Sequence, residues 1–152
     1  MDMNDTARPR YRSYTFRTST SWNGGVKGSV TAPERPPLAV SPPVEFKGEP
    51  GTWTPEDLFV ASVEACHMAT FLAYAGRHAV KVLSYRSHAN GVLEFIDGDF
   101  RFTRIVIFPT ITVAAPVSET EIHAILQETQ RHCLVANSIA SIVEVSPTIM
   151  MH

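Results

Sequence analysis

Cysteine is scarce in this chain: Cys66 and Cys133 are the only two among 152 residues. That count excludes a disulfide-stapled scaffold, and the long separation excludes a C-x-x-C redox motif. An excess of charge of one sign is also lacking, since 13 Lys and Arg stand against 15 Asp and Glu. The basic footprint of a nucleic-acid binder and a polybasic membrane patch are therefore both absent. Met1 to Arg10 holds no apolar core of a secretory signal. The longest apolar stretch, Leu58 to Ala75, is interrupted by Ser62, Glu64, His67 and Thr70. It is too polar for a membrane span and reads as a buried helix. With no export signal and no membrane segment, the expected compartment is the cytoplasm, where a permanent structural disulfide is disfavoured. Two cysteines there are core thiols, metal ligands or redox groups.

The length fits one domain with one core. Residues 1–10 are expected to be a flexible tail, followed by a single domain over 11–152. Tyr11 to Trp22 reads as a strand, because Tyr14, Phe16, Thr18, Thr20 and Trp22 share one parity. Asn23-Gly24-Gly25 is a hairpin turn, with Val26 to Ala32 as the return strand. Six prolines, at 33, 36, 37, 42, 43 and 50, exclude a helix over that stretch and leave only an edge fragment such as Leu38-Ala39-Val40. Thr54-Pro55-Glu56-Asp57 is a helix start: Thr54 suits the N-cap, Pro55 the first turn, and the two acids the positive end of the dipole. The helix is expected to reach about Tyr74, with Gly76 ending it. Ala61, Ala65, Ala69 and Ala73 form a stripe of small residues on a helix that is apolar nearly all round, as a central helix would be. Two strands follow, Lys81 to Glu94 and Arg101 to Val113, the second expected to be buried on both faces. Ser118 to about Arg131 is a second helix with Ser118 as its cap. Cys133 falls at its end, Leu134 to Ile139 forms a short helical turn, and Ile142 to Ile149 is a last strand.

Taken alone, each cysteine reads first as a small core hydrophobe, since buried free cysteine is common. A zinc site would need His67 and His132 as further ligands. Adjacent helical residues point about 100° apart, however, so Cys66 and His67 would chelate one metal badly. The wider pattern favours redox chemistry. Gly48-x-x-Gly51-Thr52-x-x-Pro55-Glu56-x-Leu58-x-x-Ala61, then Ala65-Cys66, and later Cys133-x-Val135-x-Asn137-Ser138, resembles the OsmC/Ohr family of thiol-dependent peroxidases. The order of elements agrees over about residues 14 to 149. The ten-residue step from Glu56 to Cys66 matches the family's spacing between its helix-start glutamate and its reactive cysteine.

The resemblance implies an α+β, OsmC-like fold: an antiparallel sheet around two long central helices, in an entwined homodimer with the active site at the interface. It implies no cofactor and no metal. It casts Cys66 as the thiolate that attacks a hydroperoxide, Cys133 as the resolving thiol, and Glu56 as the acid that orients a cation near the sulfur. A dithiol, from a lipoyl protein or a thioredoxin-like one, would restore both thiols. The family's arginine is missing from both of its usual places, which hold Val26 after Gly24-Gly25 and Glu45 before Phe46-Lys47-Gly48. Lys27, Arg35, Arg17 and Lys47 remain as substitutes, and Leu134 stands where the family has proline. The expected function is thiol-dependent reduction of organic hydroperoxides. The alternatives are a binding protein that holds a small molecule on the same scaffold without turnover, and another thiol chemistry such as dehalogenation or persulfide handling.

Overall fold

The computed structural model describes residues 12–152, and the expected tail over residues 1–10 lies outside them. The described chain forms two compact units, one ending at Thr54 and one beginning at Pro55. In the first, β1 (Ser19–Trp22), β2 (Gly28–Thr31) and β3 (Leu38–Val40) make an antiparallel meander in the order β1-β2-β3. The strand expected from Tyr11 is therefore shorter, pairing only from Ser19. The turn is closed by Trp22 Nε1 donating to the Gly25 carbonyl at 3.0 Å. The proline-rich stretch is an ordered loop that holds β3. Its Gly48 is pressed so close to the backbone that a Cβ there would lie 1.5 Å from the Pro42 carbonyl oxygen, so only glycine fits. Buried Ser41 pins the same loop by accepting from Glu49 N at 3.1 Å.

The second unit begins with α1 (Pro55–Arg77) and continues through a long hairpin, β4 (Val82–Ile96) and β5 (Asp99–Val113). Then come α2 (Glu119–His132), β6 (Ile142–Val145) and β7 (Thr148–Met151). Gly76 does not end α1; the helix passes through it to Arg77, whose guanidinium lies 4.7 Å from the centre of the Tyr74 ring. The cap of α2 is the expected one: Ser118 accepts from Glu121 N, and Glu121 reaches back to Ser118 N. Strands β4 and β5 pair antiparallel along their whole length. On the other edge of β5, β6 and β7 pair in parallel, one after the other, so the sheet is mixed. The single strand expected over Ile142 to Ile149 is divided at Ser146-Pro147, where proline has no N–H for the ladder.

Burial follows the parity of β5. Ile105, Ile107, Ile111 and Val113 are fully buried, whereas Val106 and Phe108 are only partly covered. Phe108 instead stacks on His88, ring centres 4.8 Å apart. Against the buried face of β5 lie Phe71 and Ala75 from α1 and Ile122, Ile125 and Leu126 from α2. Each such aliphatic or aromatic side chain contributes about 1.5–3 kcal/mol on burial. Helix α1 packs close to β4 because Gly91 has no side chain; a Cβ there would lie 2.5 Å from Val60 Cγ2. The buried stripe of α1 is Val63, His67, Phe71 and Ala75. The alanine stripe is on another side: Ala65, Ala69 and Ala73 are exposed, together with Met68 and Leu72. By length and composition alone α1 would be long and apolar enough to cross a membrane. Its packed stripe makes it the core helix of this unit.

Candidate functional site

Cys66 sits on the fourth turn of α1, one position before the buried stripe, and is partly accessible. Cys133 caps the C-terminus of α2 in an extended conformation and is buried. Packing of α1 against α2 brings the two close enough for each to shift the acidity of the other. Both thiols are reduced.

Burial pushes the Cys66 thiol up, but the hydrogen bonds it accepts outweigh this and hold it below its ordinary value. These come from the Val135 N–H, the Cys133 thiol, Thr70 and the Leu134 N–H. Thr70 has one proton, and its 2.8 Å bond to the Cys66 carbonyl claims that proton. At 4.0 Å the sulfur receives little of it. The working donors are therefore the two backbone N–H groups and the neighbouring thiol, all of them neutral. Cys133 moves the other way, to about 11: burial raises it first, and donation to Cys66 together with repulsion from that charge raises it further, against N–H groups from Ala136 and Val135. The pair is thus polarised, with Cys66 the more acidic thiol and Cys133 the one that holds its proton.

Glu56 lies in the first turn of α1, ten residues before Cys66, a rise of about 15 Å along the helix. One of its carboxylate oxygens is buried with no hydrogen-bond partner among the described residues. Of the cations considered as replacements for the arginine, Lys27 pairs with Glu49 at 3.0 Å and Arg35 donates to the Pro33 carbonyl at 2.6 Å. Arg17 and Lys47 are exposed.

Several groups near the thiols have little sequence signature. His67 is fully buried beside Cys66, with Nδ1 at 3.0 Å from the Tyr85 hydroxyl and Nε2 without a partner among the described residues. Burial lowers it to about 4, so the ring is neutral at pH 7. Tyr85 is raised to about 12 by burial and by the nearby Glu64 and Cys133. Glu64 accepts from Ser87 Oγ at 2.5 Å. Thr70, four residues after Cys66, was findable from helical spacing. Tyr85 and Ser87 come from β4, and no local pattern points to them.

A family model described as OsmC-like protein matches residues 48–148. A search of curated proteins finds no match. Among solved structures, an OsmC-like protein of unknown function from Vibrio cholerae is 18% identical, covers 90% of this chain and 100% of its own, and has a TM-score of 0.83. An OsmC-like protein from Mycoplasma pneumoniae is 16% identical, with 91% and 99% covered and a TM-score of 0.79. An organic hydroperoxide resistance protein from Elizabethkingia anophelis, with thiocyanate bound, is 20% identical, with 93% and 99% covered and a TM-score of 0.73. At these identities the likeness establishes the fold.

Proposed function

The chain belongs to the OsmC-like protein family, and from that premise we propose that it is a thiol peroxidase in which Cys66 reduces organic hydroperoxides and Cys133 resolves the oxidised sulfur. The observation that carries this reading is the proximity of two free cysteines, each shifting the other so that the more accessible Cys66 is the more acidic. The similarity to proteins named for organic hydroperoxide resistance supports the choice of substrate.

In the first step the Cys66 thiolate attacks the distal peroxide oxygen. An S–O bond forms, the O–O bond breaks, and the alkoxide takes a proton and leaves as the alcohol, with Cys66 as sulfenic acid. Loss of the Cys66 charge removes the repulsion that had helped to hold the Cys133 proton. Cys133 then attacks the sulfenic sulfur; the S–S bond forms and hydroxide leaves with the Cys133 proton as water. A dithiol of the lipoyl or thioredoxin-like class returns two electrons and two protons by exchange. Glu56 is assigned the role of orienting a cation. Its buried oxygen without a donor supports that role, because a buried carboxylate oxygen normally has one.

The working unit is proposed to be a homodimer joined along α1. The support is the exposed apolar face formed by Ala65, Met68, Ala69, Leu72 and Ala73. The second reading, a binding protein without turnover, draws on Val26 and Glu45 standing where the family's arginine is expected, and on the neutral character of the groups that shift Cys66 among the described residues. Cumene hydroperoxide added to the reduced protein decides between them. Loss of both thiols within seconds, abolished in Cys66→Ser, is the result expected of the peroxidase. Full thiol retention in excess peroxide would establish the binder.

A further inference from the structure

The segment that follows α2 brings the resolving cysteine and, with it, the N–H groups that favour the Cys66 thiolate. Its geometry is held by four hydrogen bonds. Asn137 N donates to the Cys133 carbonyl at 3.0 Å and Ser138 N to the Val135 carbonyl at 3.0 Å. Asn137 Nδ2 donates to the Arg131 carbonyl at 2.8 Å and Ser138 Oγ to the Leu134 carbonyl at 2.7 Å. The Arg131 carbonyl is one of the last in α2 and has no partner of its own in the helix. Asn137 therefore fastens the turn to the end of the helix, while Ser138 fastens the turn to itself.

This arrangement leaves the N–H groups of Leu134, Val135 and Ala136 free of the turn's own bonds. Those of Leu134 and Val135 are the backbone groups that lower the Cys66 thiol, and those of Val135 and Ala136 act the same way on Cys133. A donor at a sulfur is effective only over a few tenths of an ångström and a narrow angle. A neutral donor must be held more strictly than a cation, whose field falls off slowly.

We propose that Asn137 is a positioning residue of the thiol site, with Ser138 as its companion: its side-chain bond to the Arg131 carbonyl sets the turn so that the Leu134 and Val135 N–H groups reach the Cys66 sulfur. Its effect on peroxide turnover rests on the peroxidase reading above; its effect on the thiol does not.

The test is the pH profile of iodoacetamide alkylation at Cys66, read by peptide mass in a Cys133→Ser background. Asn137→Ala and Ser138→Ala are expected to move the midpoint up by about one pH unit, leaving about tenfold less thiolate at pH 7. Ser138→Thr, which keeps the hydroxyl, restores the parental midpoint. Ser118→Ala, which removes the cap at the other end of α2, lowers the melting temperature without moving the midpoint. An Asn137→Ala midpoint equal to the parent's, with a melting temperature lowered as in Ser118→Ala, would overturn the proposal. Should Asn137→Ala fail to fold, the Ser138→Ala and Ser138→Thr pair decides by the same readout. Midpoints that move in a protein whose Cys133-containing parent consumes no peroxide would sink the peroxidase reading alone. Peroxide consumption with unmoved midpoints would sink this proposal alone.

Discussion

Cys133 lies close enough to Cys66 for each to shift the other, Cys66 towards easier and Cys133 towards harder loss of its proton. One lies on α1 and the other on the cap of α2, and the helix–helix packing that buries Phe71 against Ile122 and Ile125 is what brings them together. The meeting of the two thiols therefore depends on a hydrophobic contact, and variants of the core should alter thiol reactivity as well as stability.

Peroxide treatment is expected to link Cys66 to Cys133 within one chain. Non-reducing peptide mapping should find that cross-link and no chain-to-chain disulfide. Cys133→Ser should complete one reduction and then stop with Cys66 as sulfenic or sulfinic acid, detectable by dimedone trapping and intact mass.

Alkylation of Cys66 in the parent is expected to reach half its maximal rate below the ordinary thiol value of 9.0, because the Val135 and Leu134 N–H groups and the Cys133 thiol favour the charge. Lys27→Met and Arg35→Met should leave that midpoint in place, since these cations are engaged by Glu49 and by the Pro33 carbonyl. A midpoint raised by either substitution would identify a cation at the sulfur after all.

His67 gives stability a defined acid limb. In the unfolded chain its ring takes a proton as pH falls through 6.5, whereas burial keeps the native ring neutral to about 4. The unfolded state binds more protons across that window, so stability falls as pH drops from 6.5 towards 4. From pH 7 to pH 5 the loss is about 2 kcal/mol. His67→Gln, which keeps a polar group opposite the Tyr85 hydroxyl, should flatten that limb in urea denaturation at the two pH values.

The exposed alanines of α1 are expected to be the dimer contact. Replacing Ala65 or Ala69 by Trp overpacks a close helix approach at about 1–3 kcal/mol per site, met twice across a two-fold axis. Light scattering should report a dimer for the parent at micromolar concentration and a monomer or aggregate for the variants. A parental monomer would remove the dimer from the proposed function.

What the sequence announced was local. Ser118 with Glu121 is a complete cap signal inside four residues, and the structure has it. The prolines from 33 to 50 left room for Leu38–Val40 alone, and that is β3. Gly76 misled because a glycine inside a helix costs only about 1 kcal/mol, which the packing of Ala75 and the Arg77–Tyr74 contact readily offset. Val106 and Phe108 looked like core residues because an apolar run cannot by itself say which parity is covered. Of the candidate site, Cys66, Cys133 and Glu56 were nominated by the family pattern, and the groups around the two thiols were not. The donors at the Cys66 sulfur are backbone N–H groups of Leu134 and Val135, and any residue but proline carries one. Proline at position 134 would lack its N–H, so Leu134 supplies a donor that the family's usual residue there could not.

Strand β5 holds its unit together unequally in time. Its pairing with β4 is a hairpin, closed by neighbours in the chain within microseconds. Its pairing with β6 and β7 must wait for α2 to cross over, and such parallel, distant pairing is slow. The turn bearing Cys133 lies inside that crossover. A newly made or refolding chain thus passes through a period in which Cys66 has neither its partner nor its donors. During that period it is an ordinary exposed thiol, open to glutathione and to other chains. Refolding yield should therefore depend on added reductant early and become indifferent to it once the crossover has closed.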